Sequence, residues 1–209
     1  MKFICFGSGK MAKSIARIAN IRGHETVSSL KEADVCIDFS VATAVLEHVK
    51  KACKEKVPIV IGTTGWEQDI PTAQKIVQES KNAALYAPNF SIGVAQFRKL
   101  LIEARRLFPN YEIAGLEMHH KEKKDAPSGT AKILAKDLGL SSFSTIRLGS
   151  IIGQHEVLFD SPSETISIKH EAKNRDGFAL GAIQAAEWIH NQIGWLTLDD
   201  MLYCTHYTF

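Results

Sequence analysis

Short apolar runs alternate with helix-period patterns throughout residues 1–90, and few folds accept that alternation. The runs fall at 2–6, 25–28, 35–39, 59–61 and 84–87. Each is apolar nearly throughout rather than at every second residue, as strands covered by helices on both faces require. Between them Met11, Ile15 and Ile18, then Val45, Val49 and Ala52, then Ile70, Ala73, Ile76 and Val77 recur at the spacing of one helix face. The pattern reads as an α/β domain of Rossmann type built on a parallel sheet.

Beyond Pro88 the pattern changes. A helix is expected over 92–107, stopped by Pro109, then a strand over 111–118, a charged loop, and a helix over 128–138 ended by Gly139. Strands follow at 145–148, 156–159 and 165–170. The last alternates, Thr165-Ile166-Ser167-Ile168-Lys169-His170, as in a mixed or antiparallel sheet with one face covered. Ile166 and Ile168 then offer an apolar strand face. A helix over 178–192 and a tail over 194–209 complete the chain. Its 209 residues divide into the Rossmann-type domain and a second α/β domain over 91–192, with a ligand expected where the two meet.

Charge and composition remove other classes. Lys and Arg number 25 against 23 Asp and Glu, too balanced for a protein that holds nucleic acid by counterion release. No apolar run approaches the roughly 20 residues of a spanning helix. Residues 1–9 lack the apolar stretch and cleavage site of a secretory leader. The expected partners are small molecules, with no nucleic acid and no membrane, in the cytoplasm. Cys5, Cys36, Cys53 and Cys204 form no C-x-x-C pair and are expected as reduced thiols.

Gly7-Ser8-Gly9-Lys10-Met11 follows the first strand and opens the first helix, with Ala12 at the last small position of a G-x-G-x-x-[GA] pattern. Glycines there let a dinucleotide pyrophosphate approach the helix N–H groups; the alternative is a plain tight turn. Asp38-Phe39-Ser40 closes the third strand and Gly62-Thr63-Thr64-Gly65 the fourth, so both turns border the same crevice as Gly7 and Gly9. Ser40 and Thr64 also suit helix capping. A site selective for NAD carries an acid at the end of the second strand. Here Ser28-Ser29-Leu30-Lys31 stands there, with no carboxylate before Glu32. Ser28, Lys31 and Lys10 suit a 2′-phosphate, so NADPH is expected to serve at least as well as NADH.

The stretch Glu117-Met118-His119-His120-Lys121-Glu122-Lys123-Lys124-Asp125-Ala126-Pro127-Ser128-Gly129-Thr130-Ala131 joins histidines and lysines to the start of a helix. Free N–H groups at Ser128, Gly129 and Thr130 beside an ammonium make a carboxylate site, and a histidine alongside donates a proton near neutral pH. The alternative is a solvated basic loop. A zinc site drawn from His119, His120, His155 and His170 is disfavoured, because neighbouring strand residues point to opposite faces. No metal is expected.

The same residues resemble those of the dihydrodipicolinate reductase (4-hydroxy-tetrahydrodipicolinate reductase) family of diaminopimelate and lysine biosynthesis. The likeness covers Gly7 to Met11, Asp38 to Ser40, Gly62 to Gly65, Ala87-Pro88-Asn89-Phe90-Ser91, the block from Glu117 to Ala131, Gly149 to His155, and Arg175 with Phe178-Ala179. The resemblance implies reduction of a cyclic dicarboxylate of dihydrodipicolinate type to tetrahydrodipicolinate by NADPH or NADH. It implies His119 as proton donor, Lys123 as its assistant and carboxylate ligand, and His120, Ser128, Gly129 and Thr130 as substrate contacts. Gly7, Met11, Gly62, Thr64, Ala87 and Asn89 would touch the cofactor, with Ser8, Gly9, Lys10, Asp38, Phe39, Ser40, Thr63, Pro88 and Phe90 beside them. It further implies that 193–209 return to the nucleotide domain of 1–90, and that 91–192 bind substrate and assemble a homotetramer. The chemistry agrees: hydride addition leaves an enamine that takes a proton, and two ring carboxylates need cationic or N–H partners. Two alternatives compete: another NAD(P)-dependent enzyme acting on an amino-acid-like substrate, and a nicotinamide-sensing protein without chemistry. A sensor has no use for His119 and Lys123, and paired carboxylate ligands favour a dicarboxylate.

Overall fold

Strands with helices above and below have no polar face to show, and the first half of the chain follows that rule. The computed structural model describes residues 1–204, the side chains of 203 and 204 excepted. It divides into two units, one of Met1–Ser91 with the chain from Asp176 on, the other of Ile92–Arg175. In the first, β1 (Lys2–Phe6), β2 (Glu25–Thr26), β3 (Val35–Asp38), β4 (Ile59–Ile61), β5 (Ala83–Tyr86) and β10 (Gly194–Thr197) form one parallel sheet in the order β10-β5-β4-β3-β1-β2. Its helices are α1 (Lys10–Ile21), α2 (Ala42–Glu55), α3 (Ile70–Ser80), α6 (Asp176–Ile189) and α7 (Leu198–Cys204). Val45, Val49 and Ala52 of α2 and Ala73 and Val77 of α3 share a core with Ile4, Cys36, Ile59, Ile61 and Trp66. The chain reverses its direction of growth at β1, which makes the carboxyl end of β1 the switch point where such sheets bind ligands.

Three expectations change here. The helix expected in the second domain, now α6, belongs to the first: Ala179, Gly181, Ala182, Ile183, Ala185, Ala186 and Ile189 are all buried, and residues this small let it pack closely on α1 and the sheet. Arg22 grips Glu187 of α6 through Nε and Nη2, each at 2.9 Å, and His24 Nε2 lies 2.6 Å from the same carboxylate. The tail includes a strand, β10, paired in parallel with β5; GWLT is too short to display a strand period. Residues 205–209 of the expected return lie outside the described residues. The second strand is only Glu25–Thr26, paired with Lys2 and Phe3, and so stops well short of the carboxyl end of β1.

In the second unit α4 (Ile92–Leu107) and α5 (Gly129–Leu138) accompany β6 (Glu112–His119), β7 (Ser144–Arg147), β8 (Gly153–Asp160) and β9 (Thr165–Ala172), in the order β7-β6-β8-β9. β6 runs parallel to β7 and antiparallel to β8, so the sheet is mixed. Strand parity sorts its residues. Ile113, Val157, Phe159, Ile166 and Ile168 share a face and form one core with Phe97, Leu101 and Leu134 of the helices. Ile166 and Ile168 therefore pack inward and do not present the apolar strand face read from sequence. The opposite face carries Ala114, Leu116, Met118, Ile146 and Leu158, a set spread over three strands that becomes one patch only through the register.

Cys5, Cys36 and Cys53 are free thiols; burial first, then the nearby Asp38, pushes Cys5 up to about 12. Cys204 lies outside the described side chains. No helix among the described residues is long and apolar enough to cross a membrane.

Candidate active site

Register aligns the strand ends of the first unit. Phe6 pairs with Asp38, Asp38 with Ile61, and Ile61 with Tyr86, so the next residues, Gly7, Phe39, Gly62 and Ala87, stand in a row along one sheet edge. Gly7 has φ +116°, and a Cβ there would lie 2.3 Å from Phe39 O. A Cβ on Gly62 would lie 2.2 Å from the Phe39 ring. Only glycine lets the turns close so tightly. Gly9 caps α1 without a side-chain hydrogen bond and no acid occupies the first turn, so the amino end of α1 keeps its attraction for an anion. Ser8 and Lys10 are exposed beside it, Met11 is half-buried, and Thr64 and Pro88 are exposed at the neighbouring turns. Phe90 is buried against Phe39, and Asn89 Oδ1 accepts the Ser91 N–H at 2.8 Å.

Asp38 lies beneath this edge rather than on it. It is 0% exposed; Oδ1 accepts Ser40 N–H at 2.9 Å, Ser40 Oγ at 2.7 Å and Thr63 Oγ1 at 2.7 Å, and Oδ2 lies 2.6 Å from His48 Nδ1. The His48 ring stacks on Phe6 at 4.1 Å. The carboxylate thus holds the turns after β3 and β4 together and, fully buried, does not face a ribose. His48, a helix residue ten positions on, was not legible as part of this site. Ser28 is exposed after the shortened β2. Lys31 leaves the site: the chain must return to the amino side of the sheet to begin β3, and Lys31 lines a cleft of about 730 Å³ there with Asp34, Pro58, Lys81 and His190.

In the second unit the chemistry shares the inner face of the sheet with the core. Glu117, paired with Thr145 of β7 and His155 of β8, is 0% exposed. Ser128 N–H reaches both its oxygens at 3.1 Å, Thr145 Oγ1 donates at 3.3 Å, and Arg147 Nη2 donates at 3.1 Å. The same Arg147 nitrogen donates to Asp125 O at 2.6 Å. Together they pin the loop from Asp125 to Ser128 onto the sheet. His119 Nδ1 lies 3.6 Å from Glu117 Oε2, and His155 Nε2 lies 3.7 Å from that oxygen and 3.2 Å from Ser128 Oγ. Ser128 also caps α5, its Oγ accepting Ala131 N–H. With its amide bonded to Glu117 and its hydroxyl to Ala131 N–H, Ser128 builds the turn that opens α5. Lys123 Nζ donates to Asp125 Oδ1 at 2.6 Å, and His120, half-buried, follows the strand end.

Glu117, His119 and His155 bring potential ligand atoms within 4.8 Å of one another. Both carboxylate oxygens of Glu117 already accept hydrogen bonds from Ser128 N–H, and Arg147 gives that carboxylate a positive partner within the protein. Burial opposes ionisation of Glu117, but the Ser128 donors and Arg147 outweigh it and hold the carboxyl below its usual range. Burial lowers His119, Glu117 opposes that, and Lys123 and Arg147 add to the lowering. His155 is pushed down to about 4 by burial first and by His119 next. Sequence reading assigned no role to Glu117, Arg147 or His155; parity alone puts Glu117 beside His119, but their convergence with β7 and β8 needs the register.

Comparisons with known proteins point to a single family. Residues 7–90 match the family model described as Dihydrodipicolinate reductase, N-terminus, and 93–202 that described as Dihydrodipicolinate reductase, C-terminus. A 4-hydroxy-tetrahydrodipicolinate reductase of Christiangramia forsetii is 34% identical, covering 97% of this chain and 98% of its own. One of Methanosarcina barkeri is 36% identical, covering 92% and 82%. Among solved structures, a dipicolinate-bound dihydrodipicolinate reductase from Paenisporosarcina sp. superposes with a TM-score of 0.79 at 21% identity, covering 97% of this chain and 99% of that one, a likeness of fold.

A buried neutral histidine has a consequence for stability. The unfolded chain binds a proton at His155 near the ordinary value of 6.5, whereas the folded chain resists until about 4. Its contribution is complete above 6.5 and is lost as pH falls towards 4, on the order of 3 kcal/mol over the window. Thermal melts should show the decline, and His155→Gln should flatten it between those pH values; an unchanged slope in the variant would reject this role.

Proposed function

The chain belongs to the dihydrodipicolinate reductase family, and from that premise we propose which of its residues carry the reaction. It is an NAD(P)H-dependent 4-hydroxy-tetrahydrodipicolinate reductase of lysine and diaminopimelate biosynthesis, acting on a small molecule with a nicotinamide cofactor. The observation that carries the assignment is the loop from Lys123 to Gly129, which Glu117 and Arg147 tie down beside His119.

The cofactor supplies the hydride when bound. The glycine at φ +116° and the α1 amino end without an acid suit its pyrophosphate, with Gly7, Ser8, Gly9, Lys10 and Met11 as the holding residues. Phe39, Ser40, Gly62, Thr63, Thr64 and Ala87 to Phe90 complete that edge, held from below by Asp38. Lys123, His120 and the amino end of α5 at Gly129 and Thr130 take the ring carboxylates. His119 donates the proton that the reduced ring takes up, and the Lys123 ammonium steadies the charge. His119→Ala and Lys123→Ala should each lower turnover by about 10²-fold or more with cofactor binding intact. Paired kinetics and nucleotide titration decide it, and unchanged turnover in both would reject the site.

For the cofactor's adenosine end, β2 stops at Thr26 and no acid follows before Glu32, while Ser28 and Lys10 are exposed. These features support NADPH working at least as well as NADH. Steady-state rates with each cofactor test this, and Ser28→Asp should move the ratio towards NADH. A preference of the unmodified protein for NADH of about tenfold or more would overturn it.

The patch of Ala114, Leu116, Met118, Ile146 and Leu158 on the outer sheet face supports self-association, and the reading for this family member is a homotetramer through this unit. The free thiols support a reducing compartment, the cytoplasm. Light scattering at micromolar concentration should return four chains; a monomer would contradict the assembly.

A further inference from the structure

We propose that Glu117, anchored by Arg147, is the positioning residue for His119: it holds Nδ1 so that Nε2 is the nitrogen that donates the proton. The inference rests on His119 as the proton donor. Its geometry is independent of that assignment. Nδ1 of His119 is buried, has no hydrogen-bond partner among the described residues, and lies 3.6 Å from Glu117 Oε2. That separation is too long for a hydrogen bond, yet it is the contact that shortens when the ring gains a proton and becomes a cation beside the carboxylate. The opposite nitrogen faces β8 at a glycine: a Cβ on Gly153 would lie 3.1 Å from Nε2, so the missing side chain keeps that nitrogen clear.

The other charges set how strongly Glu117 acts. On β6 the carboxylate itself faces the ring; from the loop come Lys123 and Asp125, from β7 Arg147, and from β8 His155, on which His170 of β9 acts in turn. Arg147 is the fixed cation of the group, bonded to Glu117 Oε1 and to the loop carbonyl of Asp125. It keeps the carboxylate ionised and in place. In the step itself the Nε2–H bond breaks, the proton passes to the reduced ring, and the imidazole is left neutral with its Nδ1–H still directed at Glu117. Reprotonation from solvent restores the cation, and Glu117 stays ionised throughout. His155, neutral and packed edge-on against His119 at 5.3 Å between centroids, limits tilting of the ring.

The sign of the effect is fixed by charge. A donor that must be protonated loses activity as pH rises through its pKa, and the Glu117 charge moves that loss to higher pH. Glu117→Gln keeps the shape and an acceptor for the Ser128 N–H but removes the charge. Its alkaline limb should move down by about one pH unit or more, and kcat at neutral pH should fall about tenfold or more. The KM for the cofactor should not move. Glu117→Asp retains the charge and should keep the limb near that of the unmodified protein, even where shortening weakens the loop and lowers Tm. Arg147→Gln should move the limb upward. Glu117→Gln in a His119→Ala background should add little. A limb that stays in place in Glu117→Gln, or an equal loss of turnover with and without His119, overturns the positioning role. Full turnover in His119→Ala alone overturns the proton-donor reading instead, which keeps the two failures distinct.

Discussion

A carboxylate with no contact with solvent must find donors, and around Glu117 that requirement assembles two further strands, a loop and a helix start. Removing one partner from a buried charge costs about 3–5 kcal/mol, because the charge that remains is uncompensated. Arg147, Thr145 and Ser128 are therefore locked together rather than merely near one another. Exposed pairs such as Arg17 with Asp176 or Lys169 with Glu171 contribute little by comparison, since water screens them and the side chains lose entropy in pairing. The position of the charged loop follows from the buried acid, and His119 stands beside it.

The first unit uses the same device with a different acid. Asp38 ends a strand, is fully buried, and is satisfied by a backbone N–H, two hydroxyls and a histidine. It brings the turns after β3 and β4 to a common level, so that Gly7, Phe39, Gly62 and Ala87 form one continuous edge. Loops that carry function sit at the surface, where packing alone holds them weakly. In both units a buried carboxylate one step below the loop supplies the rigidity.

Much of this was legible in the sequence for a definite reason. Apolar runs without alternation signal strands buried on both faces, and these located β1 and β3 to β5 closely. The block from Glu117 to Ala131 showed the start of α5 because its turn residues and the helix pattern lie within one short stretch. The second strand was read two residues too long, since Val27 and Ser28 continue the apolar-and-hydroxyl character without a ladder to join. Helix α6 was assigned to the wrong unit because small buried residues do not say which neighbour they pack against.

By itself the sequence determined the parallel sheet, the glycine turn and the helix starts, all of which depend on spacing along one segment. Tertiary structure decided what depends on register between segments. It turned Ile166 and Ile168 inward and gathered Leu116, Met118 and Leu158 outward. It sent Lys31 to the amino side of the sheet, enclosed Asp38 with His48, and brought Arg147 and His155 to Glu117. A shift of one residue in strand pairing exchanges the two faces of a sheet. Local pattern leaves that choice open, and only the packing of helices on one face and the partners of a buried charge settle it.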